Sequence, residues 1–268
     1  MNNISVLMSL YKGEKAQYFS DALKSIETQS LQPAEVVVVH DGPLTNELYS
    51  LLDVWRLKLP LKEVILEQNQ GLGIALNIGL DACSYELIAR VDTDDINVNK
   101  RFQTQYDFMN ANPQIDLCSA HIAEFDVDPS VISSLRNVPL SDDIERLIYR
   151  RNPINHMAAM FKKSSIIKAG GYLHMPYMED YYLWVRMHVM GMTIANIDDV
   201  LVYARVGNGM LERRQGYKYY CSELQFMKKL LELPIKGKPK VALIFLIRAH
   251  MRLLPMKVLG NIYKYIRQ

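Results

Sequence analysis

Hydrophobic residues in the first 110 or so positions alternate between short unbroken runs and stretches in which they recur every three or four residues. Ile4 to Leu10 and Glu35 to His40, the latter containing Val36-Val37-Val38-Val39, read as strands buried on both faces, and Gln17 to Gln29 reads as an amphipathic helix. The alternation predicts a helix over Asn46 to Lys58, a strand over Lys62 to Leu66, a helix over Leu72 to Cys83, a strand over Glu86 to Val91 and a helix over Lys100 to Asn112. Strands alternating with helices make a mainly parallel sheet covered on both faces. Ligands of such sheets bind beyond the carboxyl ends of the strands. Asp41-Gly42, Gly71-Leu72-Gly73 and Asp92 to Asp95 each follow a strand and should gather on one rim.

The second half is mixed. Ile115 to Phe125 reads as a strand, and Asp142 to Arg150 as a helix capped by Ser141 or Asp142. Met157 to Phe161 reads as a short strand, Ser164 to Ala169 as a helix stopped by Gly170-Gly171, and Glu179 to Met190 as a helix stopped by Gly191. Arg213 to Leu231 reads as helical, and Pro234 to Pro239 as a linker. This pattern divides the chain into a domain over residues 1–233, with a regularly alternating half (1–112) and a mixed half (113–233), and a basic amphipathic tail over 234–268.

With 268 residues, 49% hydrophobic and 22% charged, the chain can bury a substantial core. A net charge of +2 is too small to argue for nucleic acid, and no nucleic-acid partner is expected. Cys83, Cys118 and Cys221 are widely spaced, which favours neither a disulfide framework nor a cysteine zinc site and suits a reducing cytoplasm. The first residues enter a strand without signal-peptide character. The longest apolar run, Val241 to Ile247, is far below the roughly 20 residues of a membrane-spanning helix.

Charge matters most in two places. Asp92, Asp94 and Asp95 place three carboxylates in four positions at the end of an apolar strand, and in extended backbone Asp92 and Asp94 project to one side. Such an edge suits Mn2+ or Mg2+, which combine one or two carboxylates with substrate phosphate oxygens, although an acidic turn before a helix has the same composition. From Lys236 to Gln268 there are eight Lys and Arg residues and no acidic one. Such a segment can lie on an anionic membrane face or pack as a helix on the domain or on another subunit, as in a homo-oligomer.

In chain order the sequence carries SVLMSLYKGE, VVVVHDGP, NQGLGIALNIGL, LIARVDTDD, NPINHMAAMFKKSSIIKAGGY, MEDYYLWVRM and YARVGNGMLERRQG. Over about residues 3 to 215 this ordered series resembles the inverting family 2 glycosyltransferases, α/β enzymes of the GT-A fold, particularly bacterial enzymes that build O-antigen and other surface polysaccharides. The resemblance implies that Leu10, Tyr11, Glu14 and Asp41 line the base and ribose pocket, with Asn69, Gly71, Gly73, Asn77, Arg90 and Thr93 as further donor contacts. Asp92 approaches the ribose and metal, Asp94 chelates Mn2+ or Mg2+ on the diphosphate, and Asp95 either adds a water-mediated ligand or caps the next helix.

The resemblance further implies Asp180 as catalytic base, Glu179 beside it at the acceptor hydroxyls, and His156 near the reaction centre at an acceptor hydroxyl, a phosphate or the metal. Arg205, Arg213 and Arg214 match the basic segment that relatives place near the diphosphate. Leu76 stands before Asn77 where many relatives have Arg, so the cationic contact relatives make there is lost from this position unless another arginine substitutes. The implied partners are a UDP-sugar donor carrying glucose or galactose and an acceptor saccharide on a polyprenyl diphosphate, used at the inner face of the cytoplasmic membrane by a peripherally bound enzyme. QxxRW is absent, which favours one addition per encounter. A sugar nucleotidyltransferase would carry a glycine-rich, arginine-containing N-terminal loop and a dehalogenase-like phosphatase an Asp after the first strand. Neither feature is present. A non-catalytic membrane scaffold using the basic tail is the reading from another class.

Overall fold

The structure is a computed structural model and describes residues 3–206 and 215–255. Its centre is a sheet in the order β3 (Leu61–Ile65), β2 (Glu35–His40), β1 (Ile4–Leu10), β4 (Leu87–Arg90), β8 (Met160–Lys162), β6 (Ile115–Phe125), β9 (Thr193–Arg205) and β5 (Ile96–Asn97), with β7 (Ile132–Arg136) paired to β6 off this path. The parallel half comprises β1 (Ile4–Leu10), β2 (Glu35–His40), β3 (Leu61–Ile65) and β4 (Leu87–Arg90). Helices α1 (Ala16–Glu27), α2 (Asn46–Trp55) and α3 (Leu72–Ala82) are the connections. This half matches the predicted alternation to within a few residues at each end.

The valine run of β2 shows why the period is hidden. Val37 and Val39 enter the core on the side of α3, whereas Val36 and Val38 enter the core on the side of α1 and α2. Both faces are covered, so both faces are apolar. Gly79 sets the approach of α3, since a Cβ there would lie 2.4 Å from Leu7 Cδ1 and 2.5 Å from Val39 Cγ2. Any larger residue would force Leu7, Val39 or α3 itself to shift.

The mixed half contains β5 (Ile96–Asn97), α4 (Arg101–Ala111), β6 (Ile115–Phe125), β7 (Ile132–Arg136), α5 (Ser141–Leu147), a 3-10 turn (His156–Ala158) and β8 (Met160–Lys162). It continues with α6 (Lys163–Lys168), α7 (Glu179–Val189), β9 (Thr193–Arg205), α8 (Tyr217–Glu232) and α9 (Lys238–Met251). Strands β5, β7 and β9 carry no clear sequence signal. Strand β9 holds Asp198 and Asp199 where its pairing with β6 shifts register, and β7 leaves Ile132 and Leu135 exposed. Leu140 takes the N-cap position of α5, one residue before the earliest predicted cap.

The segment read as a tail shares the core. Val241, Phe245 and Ala249 of α9 are buried, and the Phe245 ring lies 5.2 Å from Phe226 of α8. Glu223, fully buried, receives Arg252 at 2.7 Å and Arg248 at 3.0 Å. Lys238 and Pro239 start the helix where a linker is predicted, because proline fits the first turn, whose N–H groups have no intrahelical partner. Among the described residues no helix is long and apolar enough to cross a membrane.

Candidate active site

The parallel register brings the carboxyl ends of β1, β2 and β4 to one rim, with Leu10 opposite His40 and Leu7 opposite Arg90. Asp41, just past β2, is buried and ties two predicted loops together. Its Oδ1 accepts from Gln70 N at 2.7 Å, and its Oδ2 accepts from Asn69 Nδ2 at 2.9 Å and Gly71 N at 3.1 Å. Three donors leave this carboxylate little further capacity. Asn69 is therefore a lashing of the loop, and Gly71 opens α3 at φ 89°.

Tyr11 stays half exposed on the same rim. Its ring lies over Gly13, where a Cβ would sit 2.4 Å from Tyr11 Cε2. In the sequence Gly13 is marked only by standing two residues after Tyr11. Glu14 reaches the acidic loop, where its Oε2 accepts from the Thr93 hydroxyl at 2.5 Å.

That loop is built from below. Arg90, almost wholly buried, ion-pairs with Asp92 at 2.5 Å. Its carbonyl accepts from Arg101 Nη2 at 2.7 Å, and Arg101, fully buried, also holds Asn97 and Gln105. Burial and the nearby Arg90 push the Arg101 pKa down to about 9. Arg101 was not anticipated, since a basic residue at a helix start reads as surface.

Arg205 is engaged within the domain. It is a strut, donating from Nε to the Asp94 carbonyl at 3.2 Å and pairing with Asp21 at 3.3 Å, with its guanidinium 3.9 Å from the Tyr18 ring centre. Its backbone N–H donates to Asp95 Oδ1 at 2.8 Å. Asp95 is thus held inside the loop rather than presented to solvent. Arg213 and Arg214 lie outside the described residues.

The carboxylates crowd one another. Burial, then the charges of Asp92 and Glu14, raise the Asp94 pKa to about 7. Burial followed by Asp92 and Asp94 carries Asp95 well above the ordinary carboxylate range. A divalent cation would relieve this repulsion. Among the described residues no three His, Cys, Asp or Glu side chains form a ready-made cation cage. One or two carboxylates completed by phosphate oxygens fit Mn2+ or Mg2+ better than a closed protein cage does.

Across the rim stands the start of α7. Asn152 donates from Nδ2 to Asp180 Oδ2 at 2.9 Å, and burial raises the Asp180 pKa. Glu179 is raised for the same reason. A Cβ on Gly73 would lie 3.4 Å from Glu179 Cγ and 3.6 Å from Tyr172 Cβ, so the donor-side loop meets the acidic motif here. Asn77 is spent on the same junction, donating to Tyr172 O and accepting from Tyr172 N, both at 2.8 Å. It is a clamp rather than a free donor contact.

His156 bonds the Tyr172 hydroxyl at 2.9 Å and packs its ring 5.9 Å from Trp184. Burial, then the nearby Arg90 charge, hold its pKa well below the ordinary value, so it is neutral. The Arg90 charge also acts on Tyr172 and Asp180. The Arg90 charge therefore couples the acidic loop to the α7 carboxylate. Arg186 holds the Ala169 and Gly171 carbonyls and so braces the turn before Tyr172.

A parallel sheet with an acidic rim facing a second acidic motif at a helix start is the arrangement of a GT-A glycosyltransferase. Residues 5–169 match the Glycosyl transferase family 2 profile. The chain belongs to glycosyl transferase family 2 and is a glycosyltransferase. It is 41% identical over 265 residues, 98% of this chain and 99% of the relative, to the amylovoran biosynthesis glycosyltransferase AmsE of Erwinia amylovora. It is 37% identical over 262 residues, 98% and 95% of the two chains, to the UDP-Gal:alpha-D-GlcNAc-diphosphoundecaprenol beta-1,3-galactosyltransferase of Escherichia coli. Its fold is shared with S. aureus TarS 1-349 in complex with UDP-GlcNAc, at a TM-score of 0.69 and 21% identity over 92% of this chain and 72% of that one.

Proposed function

We propose that this enzyme moves one hexose, galactose or glucose, from UDP to an amino sugar carried on a polyprenyl diphosphate, inverting the anomeric carbon, during O-antigen or related surface-polysaccharide assembly. The names of the relatives from Escherichia coli and Erwinia amylovora support the substrate class, because similarity to both runs the length of the chain. The observation that carries the mechanism is the pairing of Asp180 with Asn152 opposite the acidic rim. Asp180, with a raised pKa and one oxygen fixed by Asn152, takes the proton of the attacking hydroxyl. Glu179, at the junction with Gly73, binds neighbouring acceptor hydroxyls.

On the donor side Tyr11 offers a ring face to the uracil, and Asp41 keeps the Gly71 loop in place beside it. Asp94 and Asp92 would hold Mn2+ or Mg2+ with the donor diphosphate, and the cation supplies Lewis-acid stabilisation of the departing UDP. Arg90 keeps Asp92 oriented. The outer face of α9 carries exposed Leu243, Leu246 and Ile247 beside exposed Lys236, Lys238 and Lys240, an apolar and cationic surface suited to an anionic inner membrane leaflet.

The test is transfer from a panel of UDP-hexoses to a diphosphate-linked N-acetylhexosamine. UDP release that needs both acceptor and divalent cation, with an inverted linkage by NMR, is expected. Release of inorganic phosphate or exchange of pyrophosphate instead would overturn the assignment.

A further inference from the structure

Among the described residues Tyr177 alone, apart from glycines, has a positive φ, at 69°. A bulky aromatic residue is costly in that region and persists only where its surroundings hold it. Here they form a column. The Tyr177 ring stacks on Tyr219 of α8 with centroids 5.1 Å apart and planes 25° from parallel. The buried Tyr219 ring contacts the Arg252 guanidinium at 4.5 Å, and Arg252 is fixed by the fully buried Glu223 at 2.7 Å. Three elements of the chain therefore converge on one strained residue, two positions before Glu179 and three before Asp180.

The column is more than core filling requires. Met178 and Tyr181, on either side of the acidic pair, are buried and supply the packing of this turn, whereas the Tyr177 ring is left 50% exposed. Glycine or asparagine at 177 would adopt the same backbone without strain. A tyrosine held there against its backbone preference presents a flat, electron-rich face three residues before the proposed proton acceptor. The C–H face of a pyranose carries the complementary partial charge and is the one apolar surface a sugar offers, so it can lie on the ring while its hydroxyls meet carboxylates.

We propose that Tyr177 is an acceptor-binding residue whose open ring is a stacking platform for the acceptor pyranose, with Tyr219 and Arg252 as positioning residues beneath it. This rests on the transfer reaction proposed above. Donor binding belongs to the opposite rim and does not involve the platform.

The experiment uses the full chain, UDP-galactose and UDP-glucose, and an N-acetylglucosamine 1-diphosphate bearing a short alkyl chain, with Tyr177→Gly and Tyr177→Phe compared to wild type. Calorimetric affinity for the acceptor is read beside the acceptor and donor KM. Tyr177→Gly is expected to bind acceptor about tenfold more weakly, with donor KM unchanged and a melting temperature no lower than wild type, and Tyr177→Phe to bind as wild type does. Wild type that transfers sugar while Tyr177→Gly keeps its acceptor affinity overturns the platform and leaves the reaction standing. Wild type that binds this acceptor through Tyr177 without transferring to it leaves the platform standing and overturns the reaction as proposed. Wild type that does not bind it overturns both.

Discussion

Replacing Asp180 with asparagine separates proton removal from architecture, because the two side chains have nearly the same shape. Asn152 Nδ2 donates to Asp180 Oδ2 at 2.9 Å, and an asparagine carbonyl can accept that bond with its amide turned toward the acceptor. What disappears is the ability to take a proton. Loss of a general base costs about 10²- to 10⁴-fold in rate, about 2.7 to 5.4 kcal/mol of transition-state stabilisation. The fold should hardly notice. Burial raises the folded pKa of Asp180, so its ionised form is less favourable in the folded chain than in the unfolded one. Its favourable contribution to stability is therefore present only at low pH and is lost as pH rises through the titration range, and a neutral asparagine escapes that cost at neutral pH. Against this stands the lost attraction between a charge and the α7 N-terminus, about 0.3 to 1 kcal/mol. The two effects oppose, leaving stability within about 1 kcal/mol of wild type. Turnover with saturating donor and acceptor, donor affinity by calorimetry and thermal unfolding together decide the matter. Turnover within tenfold of wild type would refute Asp180 as base, and a large fall in melting temperature would refute its reading as a replaceable buried carboxylate.

The remaining predictions concern the supports of the site. Wild-type turnover should fall as pH drops through the raised Asp180 pKa, with an acid limb above the ordinary aspartate value of 3.8, and a pH–rate profile flat down to that value would contradict the shift. Asn77→Ala strips both backbone groups of Tyr172 of their partner and should cost about 1 to 3 kcal/mol in urea unfolding, whereas an unchanged midpoint would show that the clamp is dispensable. Glu223→Gln removes the buried charge that Arg248 and Arg252 share and should cost about 3 to 5 kcal/mol, with faster amide exchange in α9. Unaltered exchange in α9 would mean that the apolar contacts of Phe245 dock this helix by themselves.

Much of the donor half is determined locally and so was legible in the chain. Unbroken apolar runs such as Val36 to Val39 leave little alternative to strands covered on both faces, and parallel connections then force Asp41, Gly71 and Asp92 to one rim. The ordered motifs supplied the family, because their residue types and sequence do not depend on distant contacts. What each polar side chain does was decided by tertiary structure. Asn77 and Asn69 carry the same amide chemistry whether they face a ligand or a backbone, and only the approach of Tyr172 and Asp41 commits them to the backbone. Arg205 became a strut because β9 pairs with β6 and β5, a strand with polar residues at its register shifts that no local period reveals. The fate of residues 238–252 turned on one buried acid: Glu223 lies outside that segment, and a basic helix stays on the domain only where such a counter-charge and an apolar bed await it.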